Sequence, residues 1–91
     1  MHIFRRGTEV EYAERQPGVW YLVDVDVDWR YVAIICPLCR IASTVRHLTR
    51  PEKSHHTIAD DGTVNPSVVC PHTPCTFHEY VRLDGWTPIA K

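Results

Sequence analysis

The chain contains four cysteines, and they fall into two short pairs, Cys36-Pro37-Leu38-Cys39 and Cys70-Pro71-His72-Thr73-Pro74-Cys75. Thirty residues separate the pairs, enough for two distant turns to meet. Thiolates at this spacing are the donor set that a tetrahedral structural zinc site requires. Pro37 and Pro71 each follow the first cysteine of a pair and stiffen the turn, which lowers the entropy lost when the sulfurs converge. The sequence therefore assigns Cys36, Cys39, Cys70 and Cys75 to one Zn2+. The first pair, Cys-x2-Cys, specifies a metal more sharply than the second, Cys-x4-Cys. His72 lies inside the second pair and His78 follows Cys75 by three positions. An imidazole in place of one thiolate is also an accepted zinc set, so His78 stands as a substitute ligand.

A chain of 91 residues has room for one core, and residues 1–91 are read as a single domain. Chains this short bury a modest share of their unfolded surface and often need a metal to fold. The hydrophobic share, 44%, is that of a globule and not of a disordered tail. The longest apolar run, Val32 to Cys36, is far too short to span a bilayer. No secretory leader pattern opens the chain. A cytoplasmic location is expected, where paired cysteines stay reduced and bind metals. The formal net charge is −1, and four thiolates on a divalent ion shift it to about −3. Mild acidity disfavours tight non-specific binding to nucleic acid and favours a protein partner.

Period-two alternation dominates the chain and predicts strands. Thr8 to Ala13 alternates weakly and reads as a short strand, followed by a turn at Arg15-Gln16-Pro17-Gly18. From Val19 the alternation is clear. Val19, Tyr21, Val23, Val25, Val27 and Trp29 lie on one side, with Trp20, Leu22, Asp24, Asp26 and Asp28 on the other. Strands are expected over Trp29 to Ile35 and Ile41 to Leu48, flanking the first cysteine pair. Arg50 to Ser54 reads as a loop and Asp60-Asp61-Gly62 as a turn before Thr63-Val64. Asn65-Pro66-Ser67 bends the chain before Val68-Val69. Phe77 to Leu83 alternates again, and Asp84-Gly85 reads as a hairpin turn ahead of Trp86. No helical periodicity stands out. The fold class is all-β, mostly antiparallel: a small zinc-ribbon-type domain clamped by one structural zinc site.

Other clusters carry weaker chemistry. Asp24, Asp26 and Asp28 lack the glycine and terminal glutamate of a calcium loop, and read as a solvated strand face. Arg40, Arg46, Arg50 and Lys53 collect after the first cysteine pair and supply the alternative reading, a nucleic-acid-binding zinc ribbon. His55 and His56 are adjacent, point to opposite sides of an extended chain and read as surface or partly buried histidines. Glu79 beside His78 would be the general base of a small zinc hydrolase, a less favoured reading because a catalytic zinc needs an open coordination position. No Gly-rich phosphate loop is present. Trp20, Tyr80 and Trp86 are the expected anchors for a protein partner, since interface hot spots are rich in such residues.

The Cys36–Cys39 pair, with Asn65-Pro66-Ser67-Val68-Val69-Cys70 and Cys75 through Trp86, resembles a family of small zinc-ribbon-like proteins of bacteria, plasmids and phages. Some members carry the label ammonia monooxygenase, for which these residues give no reason. The resemblance implies a zinc-binding β fold and a phage or mobile-element origin, and it implies no reaction. Together these readings lead to a non-catalytic zinc-binding module that acts through protein–protein interaction. The expected setting is a phage or mobile-element modulator of a host protein, working in the host cytoplasm and away from membranes.

Overall fold

The computed structural model describes residues 1–50, 52, 54, 56–72 and 74–87. Among these residues seven strands form a single sheet: β1 (His2–Arg6), β2 (Val19–Asp26), β3 (Trp29–Ile35), β4 (Ala42–His47), β5 (Thr57–Ile58), β6 (Thr63–Val69) and β7 (His78–Leu83). Their spatial order is β4-β3-β2-β1-β7-β6-β5. β1 is the hinge of this arrangement. Its first residues run parallel to β7, with His2, Ile3 and Phe4 opposite Val81, Arg82 and Leu83. Its last residues, Arg5 and Arg6, run parallel to β2 at Val19 and Trp20. All other pairings are antiparallel. The strand thus passes from one half of the sheet to the other, and the sheet curls towards closure around its inner face.

That inner face is the core. Phe4, Trp20, Val32, Ile34, Val45, Val64, Val68, Val81 and Leu83 pack there with Cys36, Cys70 and Phe77. On β2 and β3 the contributors are alternate residues, as the pleat requires. The expected period-two strands around the first cysteine pair and after the second are present. The all-β class holds, with one short α-helix among the described residues. The parallel strand β1 was not anticipated.

Three local expectations are corrected. Thr8 to Ala13 is not a strand: Glu9–Ala13 form α1, with Thr8 as N-cap. The Thr8 hydroxyl accepts from the Glu11 N–H at 3.2 Å, and the Glu11 carboxylate accepts from the Thr8 N–H at 2.9 Å. This reciprocal pair satisfies two otherwise unpaired helix-end donors. The bend expected at Asn65-Pro66-Ser67 lies inside one strand, β6, instead of ahead of one, and the register against β7 shifts there between Val64 and Val68. Asp84-Gly85 makes a turn, but among the described residues no strand returns from it. Instead, the Asp84 N–H donates to the Phe4 carbonyl at 2.8 Å.

Trp20 is also corrected. It lies on the strand face that carries Asp24 and Asp26, yet it is only 2% exposed. Its Nε1–H donates to the Asp84 carbonyl at 2.8 Å, the Trp86 ring meets it edge-on at 5.7 Å, and the Arg6 guanidinium sits 5.1 Å from its ring centre. Trp20 is a core pillar and cannot serve as an exposed anchor. The same face becomes solvated further along because β2 runs out past the core, leaving Val25 and Val27 exposed as well.

Candidate metal centre

Each cysteine pair sits in the connection of an antiparallel hairpin. The first joins β3 to β4, where the Cys36 N–H donates to the Ile41 carbonyl at 3.1 Å and the Arg40 N–H to the Cys36 carbonyl at 2.9 Å. The second joins β6 to β7, where the Cys70 N–H donates to the Phe77 carbonyl at 3.0 Å and the Cys75 N–H to the His72 carbonyl at 2.7 Å. In both, the first cysteine continues the strand pairing and the second stands out on the turn. Cys36 and Cys70 are accordingly buried, and Cys39 and Cys75 half-buried. The first turn is tight enough that Arg40 takes a positive φ of 63°. Its side chain reaches across to the end of α1, donating to the Arg15 carbonyl at 2.9 Å and the Glu14 carbonyl at 3.3 Å. A cation on the last carbonyls of a helix is favourably placed, so the first cysteine turn and the helix brace each other.

The sheet's curl brings the two turns face to face. Two sulfur pairs span the turns at 3.5 Å each, Cys36 to Cys75 and Cys39 to Cys70. All four Sγ atoms lie within 4.8 Å of one another. A disulfide needs sulfurs at about 2.05 Å, so none is present. Four sulfurs at about 2.3 Å from a central zinc would stand about 3.8 Å apart along each tetrahedral edge. The observed separations bracket that figure, and the donor set suits a soft-ligand ion such as zinc. Without an ion, burial pushes the Cys70 thiol up from 9.0 to about 12, because a thiolate there would lack compensation. A divalent cation supplies that compensation and holds the thiols deprotonated.

The four cysteines assigned from the sequence are thus brought together. His78 is not: its Nε2 lies 2.9 Å from the Ser67 hydroxyl, and the sulfur cluster includes no histidine. His72 lines a shallow recess of about 260 Å3 beside Cys39 and Cys75, together with Leu38, Pro74 and Thr76. Leu38 stands 62% exposed at its rim. Of the expected partner anchors, Tyr80 is exposed and Trp86 is partly buried against the core.

The basic residues of the nucleic-acid reading do not form one free stripe. Arg40 caps α1, Arg46 donates to the His56 carbonyl at 2.8 Å, and the Arg50 guanidinium lies 5.8 Å from the Trp29 ring centre. Lys53 and His55 lie outside the described residues. The acidic stripe is structural. Asp26 accepts from the Asp28 N–H at 2.7 Å to shape the β2–β3 turn, and Asp24 pairs with Arg30 at 3.4 Å.

No helix among the described residues is long and apolar enough to cross a membrane. No family model, curated protein or solved structure matches the chain.

Proposed function

We propose that this chain is a non-catalytic zinc-ribbon module, its fold held by one structural Zn2+, that acts by docking on another protein. The observation that carries the reading is the closed sulfur tetrad, in which Cys36, Cys39, Cys70 and Cys75 offer four ligands from two rigid turns. A zinc ion bound to all four has no open position for water, which removes the basis for a hydrolase using Glu79. The same closure stiffens a surface. Leu38 is exposed between two ligands of one turn, beside the recess at Pro74 and Thr76. An apolar side chain presented by a pre-ordered turn loses little conformational freedom on docking. With Trp20 buried, the anchor role passes to Leu38 on this surface and to Tyr80 on β7.

Metal analysis of purified protein should give one zinc per chain. A cobalt-substituted sample should show the spectrum of tetrahedral four-thiolate ligation; a water-bearing site would overturn the non-catalytic reading. Zinc-loaded protein used as bait should retain a specific protein that Leu38→Asp no longer retains and Val27→Asp still does. Capture unaffected by Leu38→Asp and Tyr80→Ala alike would sink the docking surfaces, and capture of nucleic acid alone would sink the protein-partner reading.

A further inference from the structure

A larger recess lies where the sheet stops short of closing. Arg46 of β4, His56 from the connection to β5, Thr57 of β5, Asn65 and Pro66 of β6 and Tyr80 of β7 contribute to an open cleft of about 470 Å3. This falls within the roughly 300–1,000 Å3 typical of small-molecule sites. Among the described residues that line it, none is a metal ligand of the sulfur tetrad and none is a carboxylate.

Among the described residues, the one permanently charged group lining it is the Arg46 guanidinium. One of its nitrogens donates to the His56 carbonyl at 2.8 Å, which fixes the planar group and leaves it further N–H donors. No other acceptor for it occurs among the described residues. The His56 ring is fixed as well, with Nε2 at 3.2 Å from the Ser67 carbonyl. An Asn65 amide and a Thr57 hydroxyl add neutral hydrogen-bonding capacity. Tyr80, 60% exposed, and the exposed Pro66 supply flat apolar surface. A pre-positioned guanidinium matches the oxygens of a phosphate, and an exposed aromatic ring is a stacking platform for a base.

We propose that this cleft binds a nucleoside phosphate, Arg46 taking the phosphate and Tyr80 stacking on the base. The site is independent of the metal centre and of the docking surface at Leu38, and it shares only Tyr80 with the protein-docking reading.

The test is an amide NMR titration of the full zinc-loaded chain with AMP, adenosine, inorganic phosphate and a 5′-phosphorylated trinucleotide. AMP should shift the signals of Thr57, Asn65 and Tyr80 and bind at least about tenfold more tightly than adenosine or phosphate, since each half of the ligand adds its own contact. Tyr80→Ala, at an exposed position, should bring AMP affinity down towards that of phosphate. Arg46→Gln should bring it down towards that of adenosine, with adenosine binding unchanged. A trinucleotide that binds more tightly than AMP identifies a strand end as the natural source; weaker binding identifies the free nucleotide. AMP binding no tighter than phosphate, unaffected by Tyr80→Ala, or confined to signals of the cysteine turns would overturn the proposal.

Discussion

Stripping the metal should unfold this protein, and the structure sets a lower limit on the effect. The ion would join two turns whose nearest facing cysteines, Cys39 and Cys70, are 31 residues apart. Treated only as a cross-link of a loop that long, it removes about 3.7 kcal/mol of chain entropy from the unfolded state. For a domain of this size each kcal/mol moves Tm by roughly 4–8 °C, so the cross-link alone corresponds to about 15–30 °C. The sulfur–metal bonds add to this, because structural zinc sites bind with about 10–16 kcal/mol at neutral pH. Small domains have a net stability of about 5–15 kcal/mol, so loss of the ion leaves little or nothing.

The assay is far-UV circular dichroism melting of zinc-loaded protein with and without a strong chelator, alongside metal content. Chelation should abolish the cooperative transition or lower it by at least about 15 °C, and added zinc should restore it. Cys39→Ser should behave like the chelated wild type. His78→Ala should keep one zinc per chain, since His78 is turned towards Ser67. Purified protein that holds no metal, or that melts at the same temperature with and without chelator, would refute the reasoning.

Gly62→Ala should destabilise the fold by more than about 1 kcal/mol, read as a fall in Tm. Gly62 has φ of +92°, and a Cβ there would collide with the Leu83 carbonyl oxygen at the end of the neighbouring strand β7, whose Leu83 N–H donates to the Gly62 carbonyl at 2.9 Å. Thr8→Ala removes the N-cap acceptor of α1 and should cost about 1 kcal/mol by denaturant titration. Glu11 carries an acid dependence. The Thr8 N–H, and after it Arg5, hold its carboxyl below the ordinary 4.5, so its stabilising contribution is present above that value and is lost as pH falls through the lowered folded-state pKa. A carboxyl NMR titration should show the Glu11 midpoint below 4.5 in the wild type and closer to it in Arg5→Ala; equal midpoints would contradict the assignment.

Legibility in the sequence followed the range of the interactions involved. The cysteine tetrad could be read because each pair is a local motif and thirty intervening residues suffice for the turns to meet. β2, β3, β4 and β7 could be read because their inner residues alternate within each strand. β1 could not: its five residues, His-Ile-Phe-Arg-Arg, include a single buried side chain, Phe4, and the strand exists through non-local parallel pairing with β2 and β7. α1 was masked by the alternation of Thr8, Val10 and Tyr12. The discriminating signal was Thr8 followed three residues later by Glu11, the capping pattern. Trp20 was misplaced because the aspartates that share its face suggested solvent along the whole strand. In fact the strand enters the core at Val19 and Trp20 and leaves it before Asp24.

The position of the tetrad follows from what the sheet lacks. Its edges, β4 and β5, are separated in order by every other strand, and β5 is only two residues long, too short to seal the curl with a full ladder. At one end of β4 the approach is made by side chains: the Ser54 hydroxyl accepts from the His47 N–H at 2.8 Å, and Arg46 holds the His56 carbonyl. At the other end the four sulfurs of the β3–β4 and β6–β7 turns come together. Hydrogen bonds from a few half-buried side chains contribute about 1 kcal/mol each, whereas a tetrathiolate metal contributes roughly ten times as much. An ion bound by the four sulfurs would do at the cysteine end what a long paired strand does in a closed barrel, and the loosely bridged gap beside β5 is where the open cleft of Arg46 and Tyr80 lies.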